Sequence, residues 1–454
     1  MTGRLLRLEL RNNVVPWLLP LVAGLFWLVT YRTSMAYPPL WNVRAMTMQN
    51  SSLAVFVPTV VGAAAWLGSR EGRHGIAELV TGSARPRWHR QLAAWAATTC
   101  WSIVAYLGCV AVLYVATARE GAWGGPLWWP AVVGAASLPA FSALGFAAGA
   151  LRPSRFTPPL VAVAAFLALE ISAQFIHGDH SRWQISPVVS NLWSIGPDAG
   201  IATFYPYLPD LPIAQLLFLA GLTAALLGLL GLPAGAGGAG LRRSAAVLTV
   251  AGVLSTGAAI GLAGTARLDP HGLIAIPALH DAADDLPVGF TPACAEAALP
   301  VCVHPAYRRY LPALVDGLRP VLAELAGLPG APVRIEQVAA EYEHERGNDV
   351  SIRRSGDSVS GSPPVFNVLL PTRPSSDEIR ATLGRDIVQH LTGGGRGAGA
   401  AQQAVTDALA HTGDLTPGSP AARFAALPAA ERRAWLTAHL PALRSGQLTL
   451  ADLP

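Results

Sequence analysis

Between Val14 and Gly264 the chain passes through seven apolar stretches of about 18–25 residues, the length a helix needs to cross a bilayer core roughly 30 Å thick. They run approximately Val14–Tyr31, Ser51–Gly68, Leu92–Thr117, Leu127–Ala150, Thr157–Ile176, Pro212–Leu232 and Ser244–Gly264. Soluble folds do not accommodate so many continuous runs of this length, so this part of the chain reads as a polytopic α-helical membrane protein. Composition agrees, with 52% hydrophobic and only 13% charged residues among 454, against about 25% charged in an ordinary soluble domain. The first run follows Arg4, Arg7 and Arg11 but is long and lacks a small-residue cleavage pattern, so it is expected to stay as a first span.

The connections between these runs alternate in arginine content. Twelve arginines fall on one side: Arg4, Arg7, Arg11, the five between Ser69 and Gln91, Arg152, Arg155, Arg242 and Arg243. Arg32, Arg44, Arg119 and Arg182 fall on the other. Positive connections stay in the cytoplasm, so the N terminus is expected inside and, after seven spans, the C terminus outside the cell membrane. Cysteine usage points the same way. Cys100 and Cys109 lie in an apolar run, whereas Cys294 and Cys302 flank a short loop where an extracytoplasmic location permits a disulfide.

From about Thr265 onward Pro, Asp, Glu and Arg become frequent and no run is long enough to span. Ala306–Leu328 places Leu311, Leu314, Leu318, Val321, Leu322 and Leu325 on one helical face. Val333–Val338 and Pro364–Leu370 read as strands, and Ser375 with Glu378 forms a capping box ahead of a helix carrying Ile379, Leu383, Ile387 and Leu391. Further helices are expected near Ala401–His411 and Pro428–Leu440. This is an extracytoplasmic α+β domain over 265–454, following a six-span region at 1–240 and a seventh helix at 241–264.

Close helix packing is expected at Gly145 with Gly149 and at Gly257 with Gly261, since paired small residues let backbones approach. Trp17, Trp27, Trp66, Trp128 and Trp129 sit near span ends, as interfacial aromatics do. Glu170 is the one acidic residue well inside an apolar run. It marks either a substrate path or a structural polar contact.

Reactive motifs are sparse. His177, Asp179 and His180 have metal-ligand chemistry, but nothing nearby completes four ligands, and a polar outer loop is the simpler reading. Tyr342-Glu343-His344-Glu345 is not a His-Glu-x-x-His pair, and the C-terminal region has no Gly-x-Ser-x-Gly elbow. No catalytic, metal or cofactor site is expected. The glycines of 393–399 read as a flexible break, and His304, Arg308 and Arg309 as side chains beside a stapled loop.

The most informative connection is Ser69–Gln91, which holds Arg70, Arg73, Arg85, Arg87 and Arg90 against Glu71 and Glu78. Ile76, Leu79 and Val80 repeat at helical spacing, Thr81-Gly82-Ser83 ends that turn, and Pro86 suits the start of the next helix. A basic loop that only sets topology explains the charge equally well.

The stretch Arg70-Glu71-Gly72-Arg73-His74-Gly75-Ile76-Ala77-Glu78-Leu79, followed by Arg85-Pro86, resembles the loop between spans two and three in permease subunits of type II ABC exporters. The resemblance covers the first six spans. It departs at Ile76, where the family carries serine or threonine, and in the seventh span with its appended domain. The resemblance implies a coupling helix in which Arg70, Glu71, Gly75, Ile76, Glu78, Leu79 and Arg85 meet a separate, dimeric ABC ATPase. It also implies a second permease chain, identical or similar, and ATP-driven export. This chain has no lysine for a phosphate-binding loop, so ATP would be bound and hydrolysed on the partner subunit. Partners would be the ATPase, the second permease and the lipid bilayer, without nucleic acid. The rival reading is a membrane-anchored extracytoplasmic binding or scaffold protein whose spans only tether the outer domain.

Overall fold

A computed structural model describes residues 2–73, 86–175, 180–188, 203–233, 238–268, 273–281, 285–339, 341–344, 350–353, 365–368, 379–394, 397–410 and 415–454. The chain divides into two compact units. The first is built largely from Met1–Pro197 and Ile201–Pro287, the second largely from Val288–Glu343 and Ser351–Pro454.

The first unit is helical. Its elements are α1 (Thr2–Arg11), α2 (Val15–Met35), α3 (Trp41–Gly68), α4 (Arg87–Arg119), α5 (Trp129–Leu151), α6 (Thr157–Ala173), α7 (Asp210–Gly231) and α8 (Ala239–Ala263). Among the described residues, α2, α3, α4, α5, α7 and α8 are six helices long and apolar enough to cross a membrane. The fifth expected span is the apolar α6, which stops at Ala173 after 17 residues, about 26 Å at 1.5 Å per residue.

The largest boundary difference is at α3, which begins at Trp41 rather than near Ser51. Its first three turns carry Asn42, Arg44 and Gln49, which look like connection residues in sequence yet are buried. Each is satisfied by a partner distant in the chain, and that is what lets a polar segment continue an apolar helix.

Glycines set the helix spacing. A Cβ at Gly145 or Gly149 of α5 would run into the Val61 or Ala65 carbonyl oxygen of α3, and one at Gly68 of α3 into Phe146 of α5. Backbones this close need small residues on the facing surfaces. The expected seam at Gly257 and Gly261 is not seen among the described residues, none of which comes within 4 Å of a Cβ placed at either position. The α7–α8 seam instead sets Gly221 against Gly252 and Thr256, and Gly228 against Ala245 and Thr249, because that is the face α8 turns inward.

The outward faces of these helices are apolar. Val104, Leu107, Val112 and Val115 of α4, Leu160, Val163, Phe166 and Leu167 of α6, and Val247, Val250, Val253 and Leu254 of α8 are all exposed. A water-soluble unit does not carry apolar surface on this scale; lipid is the solvent it suits. Trp17, Trp27, Trp66 and Trp128 are also exposed.

After α8, β1 (Arg267–Leu268) and β2 (Ile274–Ala275) pair antiparallel within the first unit. The second unit holds a four-stranded sheet in the order β3-β4-β5-β8, with β3 Ala293–Ala295, β4 Val301–Val303, β5 Arg334–Gln337 and β8 Val365–Val368. Strand β3 is antiparallel to β4, while β4, β5 and β8 pair in parallel. Between β5 and β8, β6 (Glu341–His344) and β7 (Val350–Arg353) form a separate two-stranded pair. Glu343 and His344 are therefore on a strand, not on the helix a zinc-binding His-Glu pair requires.

The parallel step from β4 to β5 is bridged by a 3-10 turn, Pro305–Tyr310, and α9 (Leu311–Leu325). All six apolar residues of the expected α9 face are buried. Helix α10 (Arg385–Thr392) follows a π turn and buries Ile387 and Leu391, while Ile379 and Leu383 just before it are buried as well. Gly393 ends it at φ +73°, the left-handed cap position that glycine suits. The capping-box residues Ser375 and Glu378 lie outside the described residues. Helices α11 (Ala400–Ala410), α12 (Pro420–Ala426) and α13 (Ala429–Arg444) complete the unit. Arg432 of α13 pairs with Glu324 of α9, and Arg385 of α10 with Asp407 of α11 at 2.9 Å.

Candidate functional site

Charged connections of the first unit meet at one end of its helices. Arg70 leaves α3 and donates to both oxygens of Glu9 on α1, at 2.8 and 3.4 Å. Glu71 accepts from Arg87 at the start of α4, at 3.2 Å, and stands 3.5 Å from Arg90. Arg73 lies 3.6 Å over the Trp66 ring and donates to the Trp66 carbonyl at 3.2 Å. A Cβ on Gly72 would meet the Pro153 ring, so the connection after α5 abuts the same place. Trp88 of α4 donates to the Leu227 carbonyl of α7 at 2.9 Å, and Gly231 packs on the Trp88 ring and on Ala245 of α8. Four connections that the sequence separates thus share one end.

Of the residues expected in the coupling loop, Arg70 and Glu71 are engaged within the chain, tying the end of α3 to α1 and α4. Gly75, Ile76, Glu78, Leu79 and Arg85 lie outside the described residues. The ion pairs are partly exposed, so each adds about 1 kcal/mol or less and is screened by salt.

The opposite end is held by neutral amides and hydroxyls, by a buried arginine paired with Glu120, and by a buried aspartate. Arg44 of α3 donates to the Tyr37 carbonyl at 2.8 and 3.1 Å, to Thr117 of α4 at 3.4 Å, and to Glu120 at 2.7 Å. The segment Ser181–Val188, with a 3-10 turn at Arg182–Ile185, is drawn into the helices. Gln184, Ser186 and Val188 in it are buried. Gln49 of α3 donates to the Pro187 carbonyl at 2.6 Å, and Gln215 of α7 donates to the Gln184 and Ser186 carbonyls at 3.2 and 2.9 Å. Ser172 of α6 shares a 2.8 Å hydrogen bond with Ser186. Asp210, at the start of α7, accepts from the Ile276 amide at 2.8 Å. Sequence reasoning passed over Gln49 and Gln215. The available signal was an amide side chain placed one or two turns inside an otherwise apolar helix, where it needs a partner.

Glu170 is exposed on the outward face of α6, beside Leu167 and Ile171. It has no hydrogen-bond or ion-pair partner among the described residues, so the expected structural pairing is not seen there. Of the candidate metal ligands, His177 and Asp179 lie outside the described residues; His180 sits at φ 52° and its amide donates to the Ala266 carbonyl at 2.8 Å.

In the second unit Cys294 and Cys302 form a disulfide directly across the β3–β4 pair. His304, just past β4, is buried and caps the following turn, its Nδ1 accepting from the Ala306 amide at 3.1 Å. Gln337 at the end of β5 accepts from the His304 amide at 3.0 Å. These contacts make His304 part of the fold's interior.

Comparison with known protein families, characterised proteins and solved structures finds no match. Apolar outward faces, one charged end and one amide-sealed end describe a membrane-embedded unit whose two ends are built from different chemistry.

Proposed function

We propose that this chain is the permease subunit of an ATP-driven ABC exporter of the type II class, with ATP hydrolysed on a separate subunit. In this reading the first unit crosses the cell membrane seven times, α2 through α8, with α6 as the shortest span. The N terminus is cytoplasmic, the second unit is extracytoplasmic, and a second permease chain completes the translocator.

The observation that carries the reading is the base of the α3–α4 connection. Glu71 with Arg87 and Arg90, and Arg70 with Glu9, tie that base to α1, α3 and α4 at once. A force applied to the connection by a docked motor protein would reach three helices together, which is what coupling requires. Two further features support it. The twelve arginines that outnumber the four on the other side include those of the α3–α4 connection, which supports a cytoplasmic place for this base. The sequence holds no lysine for a phosphate-binding loop, which supports a nucleotide bound on a different polypeptide.

The test is recovery of an ABC ATPase with tagged full-length protein from its native membrane, comparing wild type with Glu78→Arg. Glu78 is preferred to Glu71 because Glu71 also holds the base, and its reversal would disturb the loop directly. The expected result is co-purification with wild type and its loss in Glu78→Arg at unchanged membrane insertion. Wild-type protein that yields no ATPase even after mild crosslinking would overturn the proposal.

A further inference from the structure

We infer that α1 is a docking surface for the headgroups of anionic phospholipids. At 100° per residue, Arg4, Arg7, Leu8 and Arg11 fall within one arc of about 100° on this helix. All four are exposed, Leu8 at 56%. The three arginines have no ion-pair or hydrogen-bond partner among the described residues. The helix's one acid, Glu9, points the other way and is occupied by Arg70. The charged side chains of the exposed arc are therefore all cationic, and an aliphatic side chain, Leu8, borders them at one edge.

The structure also fixes where this arc sits. The Trp101 indole donates to the Leu10 carbonyl at 3.0 Å, and Asn13 donates to Thr98 at 3.1 Å, so α1 is fastened along α4. Only Asn12, Asn13 and Val14 separate it from α2, a span of at most about 11 Å even when extended. Trp17, 85% exposed, stands at the head of α2, where interfacial tryptophans settle. Arg11 thus lies within roughly one Debye length of the bilayer boundary, where a cation is drawn to anionic lipid. A soluble acidic partner would be matched by the arginines but not by Leu8 or by this placement. A basic arc with an aliphatic edge beside a span fits the headgroup–acyl boundary.

The experiment is native mass spectrometry of the delipidated full-length protein, incubated with an equimolar mixture of phosphatidylglycerol and phosphatidylcholine. Wild type is compared with Arg4→Gln/Arg7→Gln/Arg11→Gln. Wild type is expected to retain phosphatidylglycerol in preference, and the triple variant to lose most of that preference, up to about fivefold per arginine. The lysine triple, Arg4→Lys/Arg7→Lys/Arg11→Lys, is expected to keep it. Leu8→Ser tests the aliphatic edge with all charges present, and is expected to weaken retention of both lipids. Arg242→Gln/Arg243→Gln serves as the placement control and is expected to leave the preference intact.

The inference fails if the glutamine triple keeps the wild-type preference, or if the Arg242/Arg243 pair removes as much as the triple. It also fails if excess inorganic phosphate displaces the lipid, since the site would then recognise a free anion. If the glutamine triple does not yield folded protein, the single Arg7→Gln variant decides it by a graded loss or by none.

Discussion

Helix α8 of the first unit leaves Val247, Val250, Val253 and Leu254 exposed, while α9 of the second unit buries Leu311, Leu314, Leu318 and Leu322 and exposes Asp316 and Arg319. Both are regular helices rich in valine, leucine and alanine, yet only α9 sorts its residues into an apolar and a polar face. The difference lies in the solvent. In water, burying the apolar face is what holds a helix in place. In lipid, apolar residues gain nothing by turning inward, so packing falls to small residues and to the few polar side chains that find partners. In the first unit those are the glycines between α3 and α5 and the amides Gln49 and Gln215. In the second they are an apolar core and a disulfide.

The largest effect expected from this contrast comes from placing a charge on each outward surface. Val250 lies midway along α8, so Val250→Arg is expected to disfavour insertion by about 3 kcal/mol. Ala438, equally exposed on α13 of the second unit, is expected to accept arginine within about 0.5 kcal/mol. Glycosylation-based insertion assays for the first and thermal unfolding for the second read the two outcomes. Equal costs would abolish the distinction between the units.

Next are the glycines. Gly149→Leu is expected to destabilise the first unit by about 3 kcal/mol, because the obstacle is the Ala65 backbone and cannot rotate away. Gly261→Leu meets open space, and is expected to change stability little. Thermal unfolding of the full-length protein in mild detergent separates the two. A similar loss for both would mean that the Gly261 face is also a packing surface.

This pair also shows what was legible in the sequence. Apolar runs announce α2 through α8 because lipid demands length and composition, both local properties. Gly145 with Gly149 and Gly257 with Gly261 carry the same spacing, but which face of a helix turns inward depends on its neighbours. In α8 that face holds Gly252 instead. The head of α3 was hidden for a related reason: Asn42, Arg44 and Gln49 look like a connection until Thr203, Tyr37, Glu120 and Pro187 are brought to them from elsewhere in the chain. In the second unit the 3.6-residue period marked α9 and the Ile379–Leu391 segment. The parallel pairing of β4, β5 and β8 leaves no such local trace. Of the α3–α4 connection, the family resemblance implied that Arg70 and Glu71 meet a partner subunit, and the structure shows both in ion pairs within the chain.

The disulfide tests whether the second unit has its own stabilisation. Closing a loop with a sequence separation of 8 stabilises by about 2.5 kcal/mol in the chain-entropy picture. Cys294→Ser/Cys302→Ser is therefore expected to lower the second unit's unfolding midpoint, with no change in that of the first. Limited proteolysis with fragment identification distinguishes the units. Parallel loss of both would mean that they unfold as one.

The smallest effect separates the two ends of the first unit. Glu71→Gln removes the negative charge shared by Arg87 and Arg90, both in partly exposed pairs, so its cost is expected to be about 1 kcal/mol or less. Its signature is salt dependence, because raising ionic strength weakens the wild-type pairs and leaves the variant with little to lose. Wild type and Glu71→Gln should thus converge in stability at high salt. Gln215→Leu at the opposite end removes two hydrogen bonds to buried carbonyls and should cost about 2 kcal/mol at every salt concentration. Unfolding midpoints of both variants across a salt series decide the matter. Convergence for Glu71→Gln with a constant gap for Gln215→Leu assigns screened ion pairing to Glu71 and neutral hydrogen bonding to Gln215. If Glu71→Gln instead keeps a fixed gap, its carboxylate acts as a buried structural acceptor, and the base of the α3–α4 connection is as rigid as the sealed end.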